Sequence, residues 1–277
     1  VSYIEGKVVL VTGAAGGFGK LVAEKVAALG ARVVLSDVNE AQLEIACSGI
    51  NEAGGEALAV RADVTSTSEM KALIDTAVEK YGAVDVLVNN AGVMPLAFYA
   101  DHETASTAWD RCIDINFKGV LHGISAVYDQ MIKQGSGHII NMSSIYGNYP
   151  VKGAAVYGAT KAAVNFLSES LRQEAQGRIK VTTVRPTGIP TTGISGGIVN
   201  FDAGGGILGD NAVEVGERFG KLFDGSAPDS WSSVDNIEYF ILAPELLADQ
   251  VVYAINQPLG VSIGDITVRA SGDMYNV

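Results

Sequence analysis

The sequence predicts an α/β fold: a doubly wound, mostly parallel, seven-stranded sheet with helices on both faces. Three observations carry that expectation. Short runs rich in Val and Ile recur along the 277 residues, amphipathic stretches separate them, and a glycine-rich turn joins the first run to the first helix. Neither an internal repeat nor a linker rich in Pro, Gly or Ser divides the chain, so residues 1–277 are expected to form one domain.

The expected strands are Val8–Thr12, Arg32–Asp37, Leu58–Val64, Val84–Ala91, His138–Ser143, Lys180–Arg185 and Ile266–Ala270. Continuous apolar runs of this length suit strands covered on both faces. Met70, Leu73, Ile74, Ala77 and Val78 follow the i, i+3, i+4, i+7, i+8 stripe of a helix, with Ser66 or Thr67 as its N-cap. Longer helices are expected over Thr107–Lys133 and Val156–Gln176. The stretch from Thr191 to Ala243 breaks the alternation, with Gly204-Gly205-Gly206 among Phe201, Ile207, Leu208, Phe219, Leu222, Phe223 and Trp231. One reading is a glycine-rich surface excursion. The favoured reading is a lid at about 191–243 that closes over a ligand, because its apolar content is high for a disordered segment.

Composition narrows the function. A net charge of −12 argues against a nucleic-acid surface. No apolar run reaches the roughly 18 residues of a membrane span. The N-terminal residues lead into an apolar strand without a basic region or cleavage site, so a cytoplasmic protein is expected. Cys47 and Cys112 read as buried free thiols rather than a disulfide. His102, His122 and His138 lack metal-ligand spacing, and no metal is expected.

Strand Val8–Thr12 runs into Thr12-Gly13-Ala14-Ala15-Gly16-Gly17-Phe18-Gly19, and a helix follows at once. Glycines there permit a tight turn and let backbone N–H groups approach a pyrophosphate, while the helix N-terminus adds partial positive charge. The second strand ends in Ser36-Asp37. A carboxylate at that point accepts hydrogen bonds from ribose hydroxyls and repels a 2′-phosphate. No Arg or Lys lies in Ala14–Gly17, and Arg32 sits at the far end of the strand, so NAD is favoured over NADP.

Tyr157 and Lys161 stand one helical turn apart and share a face. A phenol titrates near a pKa of about 10, too high for proton exchange near neutrality. A neighbouring ammonium, and the cationic ring of a bound oxidised nicotinamide, are expected to lower it. The pair then suits general acid catalysis of ketone reduction and general base catalysis of alcohol oxidation. Ser144, at the end of the fifth strand, offers a hydroxyl to the substrate oxygen. Ser143 competes for that role from the other side of the strand.

Taken together, these residues resemble the short-chain dehydrogenase/reductase family, from about Gly6 to Thr191. The resemblance rests on the Thr-Gly-x-x-x-Gly-x-Gly loop at Thr12–Gly19, Asp63-Val64, Asn89-Asn90-Ala91-Gly92, and the trio Ser144, Tyr157 and Lys161. It implies a Rossmann-like fold, and catalytic roles for Asn116, Ser144, Tyr157 and Lys161, with the Ser-to-Tyr interval selecting Ser144 over Ser143. In the family, the backbone of the residue matching Asn116 holds a water that links the lysine to solvent. The implied cofactor contacts are Gly13, Gly17, Phe18, Gly19, Asp37, Asp63, Val64, Asn90, Ala91, Gly92, Tyr157, Lys161, Pro186, Ile189 and Thr191. One departure stands out: the family places Gly after the Pro of the sixth strand, and here Thr187 occupies that position. The tail Pro244–Val277 resembles family members whose last strand lies at a subunit interface, which implies a homo-oligomer, a tetramer or dimer.

The expected activity is reversible hydride transfer between NAD(H) and a secondary alcohol or ketone. Met94, Leu96, Tyr146 and Tyr149 follow strand ends and suggest an apolar substrate, and Lys152 is the only nearby cation that points to an acidic one. The alternatives are an NADP-dependent carbonyl reductase and a non-catalytic dinucleotide-binding regulator.

Overall fold

In the computed structural model, which describes residues 2–189 and 192–276, strands and helices alternate. The order is β1 (Val8–Thr12), α1 (Gly17–Ala28), β2 (Arg32–Asp37), α2 (Glu40–Glu52), β3 (Glu56–Arg61), α3 (Thr67–Tyr81), β4 (Val86–Asn89) and α4 (His102–Cys112). It continues with α5 (Gly119–Gln134), β5 (His138–Met142), α6 (Ala155–Glu174), β6 (Lys180–Val184), α7 (Ala212–Asp224), α8 (Pro244–Ile255) and β7 (Asp265–Ile266). Among the described residues the strands form one seven-stranded sheet in the order β3-β2-β1-β4-β5-β6-β7. Every pairing in it is parallel.

Alternation along each strand divides the core in two. Val9 and Val11 of β1 join Val22 of α1, Leu43 of α2 and Leu247 of α8 on one face. Val8 and Leu10 join Leu73 of α3, Val127 of α5 and Val164 of α6 on the other. β1, at the centre of the sheet, is thus covered on both sides, as its unbroken apolar run anticipates. Strand order reverses direction between β1 and β4, and that switch point opens a crevice beyond the carboxyl ends of the strands.

β1 and β2 occupy the expected residues. β3 begins earlier and ends at Arg61, where its pairing with β2 stops at Asp37 opposite Arg61. β4 covers only Val86–Asn89 of the longer apolar run, and β7 only Asp265–Ile266 of its own neighbourhood. The apolar signal outlasts the ladder in each case because the chain beyond still packs as it turns over the crevice. Ser66 caps α3 by accepting from the Glu69 N–H at 3.3 Å. The helix expected over Thr107–Lys133 begins at His102 and is interrupted by a π-helical turn, Ile113–Lys118. The 191–243 stretch is not a structureless excursion: beside α7 it holds 3₁₀ turns at Ile194–Gly197, Phe201–Ile207, Gly209–Asn211 and Asp229–Trp231. Cys47 and Cys112 are buried free thiols. Among the described residues no helix is long and apolar enough to cross a membrane.

Candidate active site

Two cavities meet beyond the carboxyl ends of the central strands. The larger, about 960 Å³, runs from Asp37, Arg61, Asp63 and Val64 past Gly13, Gly17 and Phe18 to Asn90, Ala91 and Gly92. Gly13 and Gly17 adopt left-handed backbone, φ 65° and 52°. A Cβ on Gly13 would stand 2.8 Å from the Ala91 Cα, and one on Gly17 2.5 Å from the Thr192 carbonyl oxygen. Side chains here would fill the cradle. α1 starts after Gly16 with no side-chain cap and no acidic residue in its first turn, in contrast to the Asn39 and Ser66 caps of α2 and α3. Its leading N–H groups therefore face the cleft with their partial positive charge uncompensated, which suits a pyrophosphate. Gly19, inside that first turn, packs closely on the Asn90 side chain.

The walls are fixed by hydrogen bonds to the strand ends. Asn90 donates from Nδ2 to the carbonyls of Thr12 at 2.9 Å and Gly13 at 3.1 Å, which locks the loop after β4 against the glycine loop. Asn89 reaches the other way, donating to Asn141 Oδ1 at 2.8 Å, and Asn141 donates to Ser168 Oγ at 2.9 Å. The Asp37 carboxylate accepts from Ala15 N–H at 3.2 Å and Asn39 N–H at 3.0 Å, so it sits at the rim with a defined orientation. Asp63 accepts from the Thr65 N–H at 2.9 Å and hydroxyl at 2.8 Å, and the Val64 carbonyl meets His122 Nδ1 at 2.9 Å.

The smaller cavity, about 290 Å³, shares Phe18, Asn90, Gly92, Thr192 and Ile194 with the cleft. Ser144, Tyr157 and Lys161 line it. β5 delivers Ser144 just past its last residue, and α6 carries Tyr157 and Lys161 on one buried face. The adjacent serines divide their labour. Ser143 donates to the Lys161 carbonyl at 3.0 Å, whereas the Ser144 hydroxyl accepts from the Tyr146 N–H at 3.2 Å and lies close enough to Tyr157 to favour its phenolate. Lys161 Nζ donates to the Met142 carbonyl at 2.8 Å. Asn116, inside the π turn, pairs its amide with Val93 in both directions, Nδ2 to the carbonyl at 2.8 Å and Oδ1 from the N–H at 2.9 Å. Gly92 lies between them: a Cβ there would be 3.3 Å from Asn116 Oδ1 and 3.7 Å from Lys161 Nζ. π turns gather at functional sites because they break the regular helical ladder.

The electrostatics differ from the expectation of a phenol acidified by its lysine. Burial pushes the Tyr157 hydroxyl above its ordinary value, and the Ser144 hydrogen bond pulls only partly against it. Burial also lowers Lys161, to about 8. With Nζ turned to Met142 and 5.7 Å from the Tyr157 ring centroid, the lysine does not outweigh the desolvation of the phenol.

The rest of the smaller cavity is mostly apolar, walled by residues such as Met94, Leu96, Ile207, Leu208, Val215 and Phe219, with Asn90, Thr187, Thr192 and Ser195 among its polar lining. Among the described residues, Lys161 is the one charged side chain lining it. Tyr146 borders it, but Tyr149 is exposed, and Lys152 instead stands 5.8 Å over the Phe98 ring. Of the apolar residues in the 191–243 stretch, Ile207, Leu208 and Phe219 reach the cavity, while Phe201 and Phe223 are exposed. Pro186 and Ile189 border it, with the Pro186 carbonyl accepting from Ile145 N–H at 3.2 Å, and Thr191 lies outside the described residues. Thr187, the departure from the family pattern, ties its loop to the segment after β7 by donating to the Val268 carbonyl at 3.3 Å. Two residues escaped the sequence reading. Arg61 faces the cleft beside Asp37, placed there by strand register, and Tyr275 enters the smaller cavity from the far end of the chain.

The chain matches the family model described as short chain dehydrogenase over residues 7–199. It is 34% identical over 266 residues to an uncharacterized oxidoreductase of Staphylococcus epidermidis, covering 96% of this chain and 98% of that one. Among solved structures it resembles a short-chain dehydrogenase/reductase from Burkholderia phymatum in complex with NAD. There the TM-score is 0.67 and the identity 35%, over 71% of this chain and 70% of that one. A metagenomic short-chain oxidoreductase in complex with NADP matches with TM-score 0.71 and 28% identity, over 96% and 97%.

Proposed function

The chain belongs to the short-chain dehydrogenase family, and on that premise we propose that it is an NAD-dependent oxidoreductase interconverting a hydrophobic secondary alcohol and its ketone. The observation that carries this reading is that Tyr157, Ser144 and Lys161 line an apolar pocket which adjoins a dinucleotide-sized cleft, the two sharing Gly92 beside Lys161. The dinucleotide, when bound, supplies or accepts the hydride.

The protein's own groups do the rest. The glycine loop, the α1 N-terminus and Phe18 would hold the phosphates and the adjoining ring, Asp37 would take the ribose hydroxyls, and Asp63 and Val64 would flank the adenine. Asn90, Ala91, Gly92, Pro186 and Ile189 would border the nicotinamide side. Ser144 and Tyr157 hold the substrate oxygen, and Tyr157 transfers the proton. Lys161 grips the nicotinamide ribose and opposes the burial of the phenolate, while Asn116 supports proton exchange with solvent. The 191–243 stretch acts as the lid that covers the pocket. Two buried free thiols favour a cytoplasmic setting, and the likeness of the tail Pro244–Val277 to family members with an interfacial last strand favours assembly of copies into a dimer or tetramer.

A panel of secondary alcohols and ketones, followed by nicotinamide absorbance with NAD(H) and NADP(H), tests the reading. Tyr157→Phe is expected to lower kcat by about 10²–10⁴-fold with dinucleotide affinity retained; near-normal turnover by that variant would end the proposal. Arg61 favours a second reading, in which NADP is the cofactor, because a guanidinium beside Asp37 is placed to meet a 2′-phosphate. Its present partner is Glu69, at 2.5 Å, so NAD remains the first reading. KM for the two dinucleotides decides between them.

A further inference from the structure

The substrate cavity contains a phenol that the reaction described above does not use. Tyr275 lies over Gly188, where a Cβ would coincide with its hydroxyl, so this approach is possible only because residue 188 is glycine. The ring is held from both sides. Asn276 donates to the carbonyls of Ile207 at 3.1 Å and Leu208 at 2.7 Å, and Asn211 donates to the Met274 carbonyl at 2.9 Å. Arg269 pairs with Asp273 and donates to the Tyr275 carbonyl at 2.8 Å. A strap from Arg269 to Asn276 is thereby sewn onto the 3₁₀ turns that wall the pocket.

Fixed so firmly, the Tyr275 hydroxyl nonetheless has no hydrogen-bond partner among the described residues, and neither does that of Tyr146, which lines the same cavity. Neither hydroxyl is a fully buried atom; a substrate filling the cavity would take both from water, and phenols so enclosed normally find a partner. The pocket's other polar lining, Asn90, Ser143, Thr187, Thr192 and Ser195, makes no hydrogen bond to either phenol, so the remaining candidate is a group carried by the substrate. The oxygen at the reacting carbon is already assigned to Ser144 and Tyr157. We infer that the substrate bears a second, uncharged oxygen, a hydroxyl or carbonyl near the reacting carbon, and that Tyr275 recognises it by hydrogen bonding and so determines specificity. The inference rests on the proposed oxidoreductase reading.

The test is the ratio of kcat/KM for acetoin over butanone, and for benzoin over deoxybenzoin, measured on the full chain and on Tyr275→Phe. Each pair differs by one hydroxyl beside the ketone. The full chain is expected to favour at least one hydroxylated partner, and Tyr275→Phe to lower that ratio by about ten- to a hundredfold. The Phe variant keeps the ring over Gly188, and an unchanged melting temperature verifies its fold; Tyr275→Leu must lower the same ratio. A full chain that turns over the plain ketones without favouring either hydroxylated partner overturns the inference alone. So does a Tyr275→Phe loss equal within each pair. Absence of turnover by the full chain on all four compounds and across the alcohol and ketone panel overturns the oxidoreductase reading and this inference with it.

Discussion

The Lys161 ammonium donates a 2.8 Å hydrogen bond to the Met142 carbonyl, joining the middle of α6 to the last residue of β5 inside the core. The group is almost completely buried, and its pKa is lowered to about 8 by desolvation. A charge held there destabilises the fold at neutral pH, since it is better solvated in the unfolded chain. Lys161→Met is therefore expected to raise the melting temperature by about 2–4 °C while abolishing turnover. A lower melting temperature would show that the Met142 hydrogen bond outweighs desolvation.

The two serines after β5 separate stability from chemistry. Ser144→Ala removes the hydroxyl proposed to hold the reacting oxygen and is expected to cost about 10²–10³ in kcat with little change in stability. Ser143→Ala breaks the 3.0 Å bond to the Lys161 carbonyl and is expected to cost about 1 kcal/mol in urea denaturation, with the smaller effect on kcat. Reversal of the two profiles would reassign the substrate contact.

Asp37 and Arg61 face each other across the β2–β3 ladder at the rim of the cleft. Removing the carboxylate deletes both its acceptor role and its repulsion of a phosphate. Asp37→Ala is expected to move the NADP-to-NAD ratio of kcat/KM upward by about ten- to a hundredfold, and adding Arg61→Ala to reverse part of the gain. If Asp37→Ala leaves the ratio unchanged, the residue does not select the cofactor.

His138 supplies a pH dependence away from the site. Thr182 Oγ1 donates to the Ile263 carbonyl at 2.6 Å, so it accepts from His138 Nε2, which lies 2.7 Å away, and the buried ring is neutral with its proton on Nε2. Burial, with Lys180 nearby, lowers its pKa from 6.5 to about 3. Between those values the unfolded chain binds the proton and the folded protein does not, so stability is full above pH 6.5 and falls as pH drops toward 3. The loss from this group is expected to reach about 2 kcal/mol by pH 5. His138→Leu should show a shallower acid slope in denaturation measured at pH 7 and pH 5; an identical slope would remove His138 as its source.

How far the sequence could be read depended on the range of the interaction. β1 and β2 were legible to the residue because turn chemistry bounds their apolar runs, with Gly13 after one and Gly30 before the other. The π turn at Ile113–Lys118 left no trace, since those residues contain neither Gly nor Pro and pattern as ordinary helix. Tyr157 and Lys161 were recognisable from spacing, but the direction of the phenol's pKa was not: spacing reports the neighbouring charge, and burial decided the balance. Arg61 depends on the register of β3 against β2, and Tyr275 on a contact with Gly188 made across the whole second half of the fold. Neither is encoded in any local pattern.

The placement of β1 has a consequence for how the molecule can change. All five of its residues are buried, and it is laddered on both edges, to β2 and to β4. A segment so enclosed opens only when the entire protein does, and the glycine loop inherits that persistence directly from Thr12. The pocket walls at Ile207, Leu208 and Phe219 hang instead on short 3₁₀ turns and one amphipathic helix outside the sheet. New substrate preferences can therefore be grafted onto the outer turns while the grip on the dinucleotide stays as it is.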